Sequence, residues 1–269
     1  MCEILILERR FCVMKKFLGL LVVVVGMFTL AACDDADNGE NAFALLMRAE
    51  TEMADVDSMV METEMNMVME LFGQPMYSTS NSRAYTVQVS PTEFEMRVET
   101  VTETMDMEIP STMYFRDGMM YMDMMGERTK FEIPFEEAMQ MANVDGFEFE
   151  FDESAIISHS VSANGDNREL EFVLDFGSVM DSLSGEVGSM MEMFGDMEGM
   201  FDDLTVEMTV VIDADYQIVS MMMAYEMEIE GITTKIEMIS TVVQTGGVEI
   251  TFPDNLDEFE EMDSMMFDF

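Results

Sequence analysis

Methionine thioethers stand two residues apart repeatedly along this chain, among them Met59/Met61, Met65/Met67/Met69, Met105/Met107, Met122/Met124, Met139/Met141 and Met191/Met193. On a strand that spacing puts the sulfurs on one face, and thioether sulfur is a soft ligand suited to Cu(I). The same positions are also where a sheet buries its aliphatic side chains, so core packing explains them as well. The single histidine, His159, lies between Ser158 and Ser160 in an alternating segment. A Ser-His-Asp triad needs a positioned base beside its nucleophile, and no Gly-x-Ser-x-Gly elbow occurs. Ser182-Leu183-Ser184-Gly185 does not replace it. Acid pairs such as Glu136/Glu137 are expected by chance in so acidic a chain. There is no phosphate-binding glycine loop and no His-rich cluster. These residues predict a protein that binds rather than catalyses, with no catalytic residue, no metal site and no cofactor.

Cys33 carries the clearest chemistry. Residues 17 to 32 form an apolar run without charge, shorter than the roughly 20 residues of a comfortable membrane span. Lys15 and Lys16 precede it, as in the basic region of a signal peptide. Leu30-Ala31-Ala32-Cys33 follows it. The three parts together resemble a bacterial lipoprotein signal ending in its lipobox. That resemblance implies a diacylglycerol on the Cys33 thiol and cleavage just before it, the small residues giving the peptidase access to the bond. Asp34 is similar to the inner-membrane retention signal of two-membrane bacteria. The expected location is the cell membrane, lipid-anchored on the extracytoplasmic face. Glu3 and Glu8 suit a basic leader poorly, so Met14 is read as the start and residues 1–13 as a gene-calling artefact.

Stepping past Cys33, residues 34–269 suffice for one domain with its own core. Four basic and two acidic residues precede Cys33, leaving 8 basic and 54 acidic beyond it, a net charge of −46. Nucleic-acid binding needs a basic face, and so does adhesion of the protein surface to anionic headgroups; both are excluded. Cys2 and Cys12 lie ahead of the cleavage point, so the mature fold has no disulfide, no Cys nucleophile and no Cys-based zinc site. Beyond Cys33 there are 34 Met against 8 Leu. That inverts ordinary usage, so Met does much of the work of Leu.

The elements follow from periodicity. Residues 34–41 form an acidic tether. Asn41 to Met53 has helical spacing, with Ala42, Leu45, Leu46, Ala49 and Met53 on one side. From Met59 to Leu71 the period is two, which predicts a long half-buried strand ended by Gly73-Gln74-Pro75. Further strands are expected at 83–90, 93–109, 112–116 and 119–124, the last two joined by Asp117-Gly118, and at 129–133. A short helix is expected from Pro134, and a strand over 144–154. A hairpin spans 156–162 and 169–175 around Asn164-Gly165-Asp166. A glycine-weakened amphipathic helix is expected over 178–201. Strands at 204–212, 217–230, 232–243 and 248–252 complete the pattern, with one helical turn near Asp257 and an acidic tail at 263–269. So many long antiparallel strands should curl. The chain reads as α+β, a curved antiparallel sheet with helices covering its concave face.

Three stretches resemble a known superfamily: Met113-Tyr114-Phe115-Arg116-Asp117-Gly118-Met119-Met120-Tyr121, Val211-Ile212-Asp213-Ala214-Asp215-Tyr216-Gln217-Ile218, and Val248-Glu249-Ile250-Thr251-Phe252-Pro253. The chain is identified on these as a member of the LolA/LolB- and LppX-like lipoproteins. The resemblance implies a half-open β-barrel closed by helices over residues 42–262, with a cavity for acyl chains. It departs from soluble LolA-type carriers in having the lipobox, and in lining with Met rather than Leu, Ile or Trp.

Met is unbranched and polarizable and lines adaptable surfaces. The residues expected to line an acyl-chain cavity are Met65, Met67, Met69, Val187, Met190, Phe194, Met197, Met208, Met221 and Met223. The first functional reading is a lipid-anchored protein that binds or transfers an amphiphile: an acyl chain, a lipid or a lipoprotein. A non-catalytic surface lipoprotein acting through protein contacts is the alternative, and Met-based Cu(I) binding the third.

Overall fold

In a computed structural model the chain divides into two units, Met1–Gly39 and Glu40–Phe269. The structure describes residues 41–71, 73–90, 93–105, 107–134, 151, 153–182, 204–229 and 231–262, all in the second unit. The leader with Cys33, the tether up to residue 40, the expected helix beyond Pro134, most of the expected strand over 144–154, most of the helix over 178–201 and the tail at 263–269 lie outside the described residues; Glu153 and Ser154, expected at the end of that strand, instead begin a 3-10 turn, Glu153–Ala155.

Helix α1 spans Ala42–Met53. Asn41 caps it, its Oδ1 accepting from the Phe43 N–H at 2.9 Å, which satisfies one of the donors a helix start leaves open. Ala42, Leu45, Leu46, Ala49 and Met53 are buried, as their spacing predicts.

Eleven long or medium strands follow: β1 Ser58–Leu71, β2 Gln74–Ser90, β3 Glu93–Thr104, β4 Met107–Arg116, β5 Met119–Met124, β6 Glu127–Glu132, β7 Ile156–Asn164, β8 Asn167–Asp175, β9 Thr205–Ile212, β10 Ile218–Ile229 and β11 Ile232–Thr245. A two-residue strand, β12 Glu260–Glu261, ends the series. Between β8 and β9 the described part of the expected long helix is α2, Phe176–Ser182. Together the strands make one curved, unclosed sheet in the order β12-β6-β5-β4-β3-β2-β1-β11-β10-β9-β8-β7. All pairs are antiparallel except β12 with β6. The sheet is thus two meanders, β1–β6 and β7–β11, fused where the last long strand returns to the first.

Three expectations are corrected. The strand expected from Arg83 begins at Gln74, because residues 74–82 pair with β1 along their whole length and with β3 from Ser78; tertiary pairing overrides the turn-like composition Ser-Thr-Ser-Asn-Ser. The strand expected over 93–109 is two strands, since Met105 adopts φ +50° and reverses the chain. The strand expected at 248–252 is not a strand, because β1 and β11 have both edges occupied.

Residues 248–259 form a strap instead. The Val248 N–H donates to Ser58 Oγ at 3.3 Å. Phe252 then packs against Tyr114 at 6.0 Å, and buried Phe259 sets its ring edge-on to Tyr121 at 5.6 Å. A short 3-10 turn, Leu256–Glu258, delivers β12 to the outer edge of β6.

Two apolar clusters form the core. The larger gathers α1 with Met59, Met61, Leu170, Phe172, Leu174, Val206, Met208, Val210, Ile212, Ile218 and Met221. The smaller holds Phe94, Met96, Phe115, Met120, Phe131 and Ile133, with Phe94 and Phe115 stacked at 4.6 Å. Among the described residues no helix is long and apolar enough to cross a membrane.

Candidate ligand-binding face

The registers place both clusters on the same side of the sheet. Directly opposite residues in antiparallel strands point to one face, so faces can be followed from strand to strand. Met59 faces Thr86, Thr86 faces Met96, Met96 faces Phe115, Phe115 faces Met120 and Met120 faces Phe131. This is the side on which α1 packs, and we call it the α1 face.

Between the clusters this face carries three rows of side chains, running from buried Met208 and Ser240 to exposed Met65 and Met107. The first runs Ser240, Thr63, Ser82, Thr100 and Ser111 across β11, β1, β2, β3 and β4. The second runs Met208, Met223, Met238, Met65, Ser80, Thr102 and Ile109 from β9 to β4. The third runs Tyr225, Ile236, Met67, Ser78, Thr104 and Met107 from β10 to β4. The patch is therefore split along the strands. Its β9–β1 half is mainly thioether and aliphatic, apart from Thr63, Ser240 and Tyr225, and its β2–β3 half is hydroxyl.

Two hydroxyl pairs are closed. Thr63 Oγ1 and Ser240 Oγ are 3.0 Å apart, and Ser80 Oγ and Thr102 Oγ1 are 3.2 Å apart. Among the described residues Ser82, Thr100 and Ser111 have no side-chain hydrogen-bond partner. A hydroxyl offers one donor and two acceptor sites, so these three can meet an alcohol, an ester carbonyl or an amide.

Charge is segregated by the same alternation. On the α1 face of the eight adjacent strands from β5 to β9 every side chain is uncharged. Charge returns at the margins: Glu127 on β6, Glu260 beside Thr129 on β12, and Arg168 on β8, whose guanidinium lies 5.1 Å from the Tyr216 ring. The opposite face carries the acids, among them Glu62, Glu64, Glu70, Glu95, Glu99, Glu103, Glu207, Glu226 and Glu237. It also carries their partners: Arg83 with Glu62 at 3.3 Å, Arg116 with Glu95 at 3.3 Å, Arg128 with Asp123 at 2.9 Å, and Lys235 with Glu226 at 2.7 Å. Arg97 pairs with Glu99 there too.

Titration follows this split. Glu226 accepts a hydrogen bond from Lys235 and raises its pKa above the ordinary lysine value. Burial raises that of Tyr225 above the usual tyrosine range. Tyr225 belongs to the α1 face, where its ring stacks on Phe176 at 6.3 Å. At the start of α2 the Ser178 backbone N–H and hydroxyl hold Asp175 below the usual carboxylate range; the N–H bond is 2.7 Å.

Of the ten residues expected to line a cavity, six fall within the described residues: Met65, Met67, Met69, Met208, Met221 and Met223. All six lie on the α1 face. Met208 and Met221 belong to the buried core, whereas Met65 is 37% exposed. Val187, Met190, Phe194 and Met197 lie outside the described residues. His159 lies at the margin of the face on exposed β7, 6.4 Å from the Phe172 ring. Among the described residues no group of three or more His, Cys, Asp or Glu side chains could hold a metal ion.

The hydroxyl half was missed in the sequence. Its signal is plain in retrospect: Ser78, Ser80 and Ser82, then Thr100, Thr102 and Thr104, alternate at the same period of two as the methionines.

No protein-family model matches the sequence, and no curated protein matches it. Among solved structures the chain is similar to LprF from Mycobacterium bovis, with 11% identity, 79% of this chain and 96% of that one covered, and a TM-score of 0.42. It is also similar to the lipoprotein LppX from Mycobacterium tuberculosis, with 9% identity, 79% and 100% covered, and a TM-score of 0.37. A LolA superfamily protein from Nitrosomonas europaea is similar at 9% identity, 81% and 97% coverage and a TM-score of 0.24.

Proposed function

We propose that this chain is a lipid-anchored lipoprotein on the extracytoplasmic face of the cell membrane that binds or passes an amphiphile on the α1 face of its sheet, without catalysing a reaction. The observation that carries the binding is the absence of charge on that face across eight adjacent strands, in a chain of formal net charge −44. A solvated sheet surface has no reason to avoid acids when the opposite surface is crowded with them, whereas an acyl-chain site must avoid them. Met65, Met67, Met69 and Met223 supply an adaptable apolar surface beside the core residues Met208 and Met221, and Val187, Met190, Phe194 and Met197 are assigned to the same site. The anchoring rests on the run at residues 17–32 and on Leu30-Ala31-Ala32-Cys33.

Native mass spectrometry after mild-detergent extraction tests the binding. Co-purifying lipid, or uptake of a fluorescent fatty acid, is expected; reproducible absence of both overturns the reading. Metabolic labelling with palmitate tests the anchor. Label and membrane partition are expected for the parent and lost in Cys33→Ser.

One arrangement favours a second reading. Met208, Met223, Met238 and Met65 form one row on four adjacent strands, and thioethers suit Cu(I). Competition for Cu(I) against a chromophoric chelator decides it. Removal of copper from the chelator that is lost in Met238→Leu supports metal binding, and a chelator left fully loaded excludes it.

A further inference from the structure

Building on the amphiphile reading, we infer that the ligand is an uncharged lipid whose hydroxyl- or ester-bearing polar part sits on Ser82, Thr100 and Ser111 while its chain lies over Met65, Met67 and Met238. Ser82, Thr100 and Ser111 occupy adjacent strands in one row, so their hydroxyls are spaced about 5 Å apart over roughly 10 Å. None of the three is consumed by a side-chain partner among the described residues. The Met side begins on the next strand, where Met65 directly faces Ser80, so a polar part and a chain can be engaged together.

Ordinary sheet packing does not account for this pattern. Thr is a good strand residue, but Ser is not, and Ser78, Ser80 and Ser82 hold three successive α1-face positions of β2 between two apolar clusters.

Charge selects against the other lipid classes. A phosphate or carboxylate placed on this row would lose water and gain no cation, which is costly. The cations of the neighbouring strands, Arg83 and Arg97, belong to the opposite face, where each lies 5.5 Å from the Tyr85 ring and pairs with an acid. The surrounding negative charge raises the penalty for an anion further. A hydroxyl row asks for none of this, because it donates to an ester and accepts from an alcohol with both partners neutral.

The test uses the full-length protein in mild detergent, offered equal amounts of dioleoylglycerol, galactosyl-dioleoylglycerol and dioleoylphosphatidylglycerol, with retention read by native mass spectrometry. Identical chains make the polar part the only variable. Both uncharged lipids are expected to exceed the anionic one by at least about tenfold, the factor that loss of one or two hydrogen bonds produces. Equal or greater retention of the phosphatidylglycerol overturns the inference and leaves amphiphile binding standing; retention of none of the three overturns the amphiphile reading itself. Ser82→Ala combined with Thr100→Val is expected to lower retention of both uncharged lipids by about tenfold, the factor that loss of one or two hydrogen bonds produces, with a circular-dichroism spectrum like the parent's. If the folded variant retains them as the parent does, the assignment to this row is wrong. Ser82→Lys is expected to bring the phosphatidylglycerol in, and its failure to do so in folded protein also counts against the row.

Discussion

Thr63 and Ser240, 177 residues apart in sequence, close a 3.0 Å hydroxyl pair across β1 and β11. The bond lies on the seam that fuses the two meanders, beside the candidate site, and Ser240 is buried. Removing one partner strands the other. Thr63→Val is expected to cost about 1–3 kcal/mol, while Thr63→Val with Ser240→Ala costs less than the sum of the two single changes. Urea unfolding of the four proteins of this double-mutant cycle measures the coupling, and strict additivity would show that the pair contributes nothing.

Met208 and Met65 occupy the same row but opposite environments. Met208 is 2% exposed and packed in the larger cluster, whereas Met65 is 37% exposed. Met208→Ala should cost about 2–5 kcal/mol, the cost of a buried methionine truncation. Met65→Ala should cost under about 1 kcal/mol while weakening lipid retention. Paired denaturation and retention measurements separate a packing methionine from a binding one.

Asp175 gives acid sensitivity to the start of α2. Its folded pKa lies below the unfolded value because Ser178 hydrogen-bonds the carboxylate. The stabilisation is therefore fully present above the ordinary carboxylate pKa and is lost as pH falls through the depressed folded value. Asn caps comparably but does not titrate in this range. Asp175→Asn should accordingly flatten the acid limb of a stability-versus-pH curve without moving its neutral plateau. A variant with the parent's acid limb would refute the assignment.

Phe259 holds the strap against Tyr121. Phe259→Ala should cost about 3–5 kcal/mol if the strap unfolds with the sheet. If the strap instead opens alone, amides of β6 that pair with β12 should exchange with solvent faster than those of β1. Hydrogen exchange read strand by strand distinguishes the two.

The strands with period-two alternation, β1 and β7 to β11, were legible because one face is apolar and the other polar in each. β2 was half hidden, since Pro75 and the Ser, Thr and Asn residues of 77–82 mimic a turn until strands on both sides claim them. The turn at Met105 was hidden for the opposite reason. No glycine or proline stands between Thr100 and Ile109 to mark a turn, and a left-handed Met is what composition least suggests. At the site the methionine half was legible from composition. The hydroxyl half was not, because serine draws attention only beside a base or an elbow, and a row formed by five strands exists in no local window.

The two ends of the sheet are finished differently. On β6 the edge is taken by the strap's last strand, Glu260–Glu261, which sets one exposed carboxylate on each face of the sheet at that edge. Among the described residues nothing similar lies on β7: Ile156–Asn164 has no Asp, Glu, Lys or Arg and no proline, and Ile157 and Val161 are exposed. A sheet with one receptive edge and one guarded edge cannot be stacked end to end. An extra strand could be accepted at β7, but a second copy adding there would present its own guarded edge to the next, so growth would stop at two. In a chain this long in β-structure, that asymmetry is a built-in limit on fibre formation.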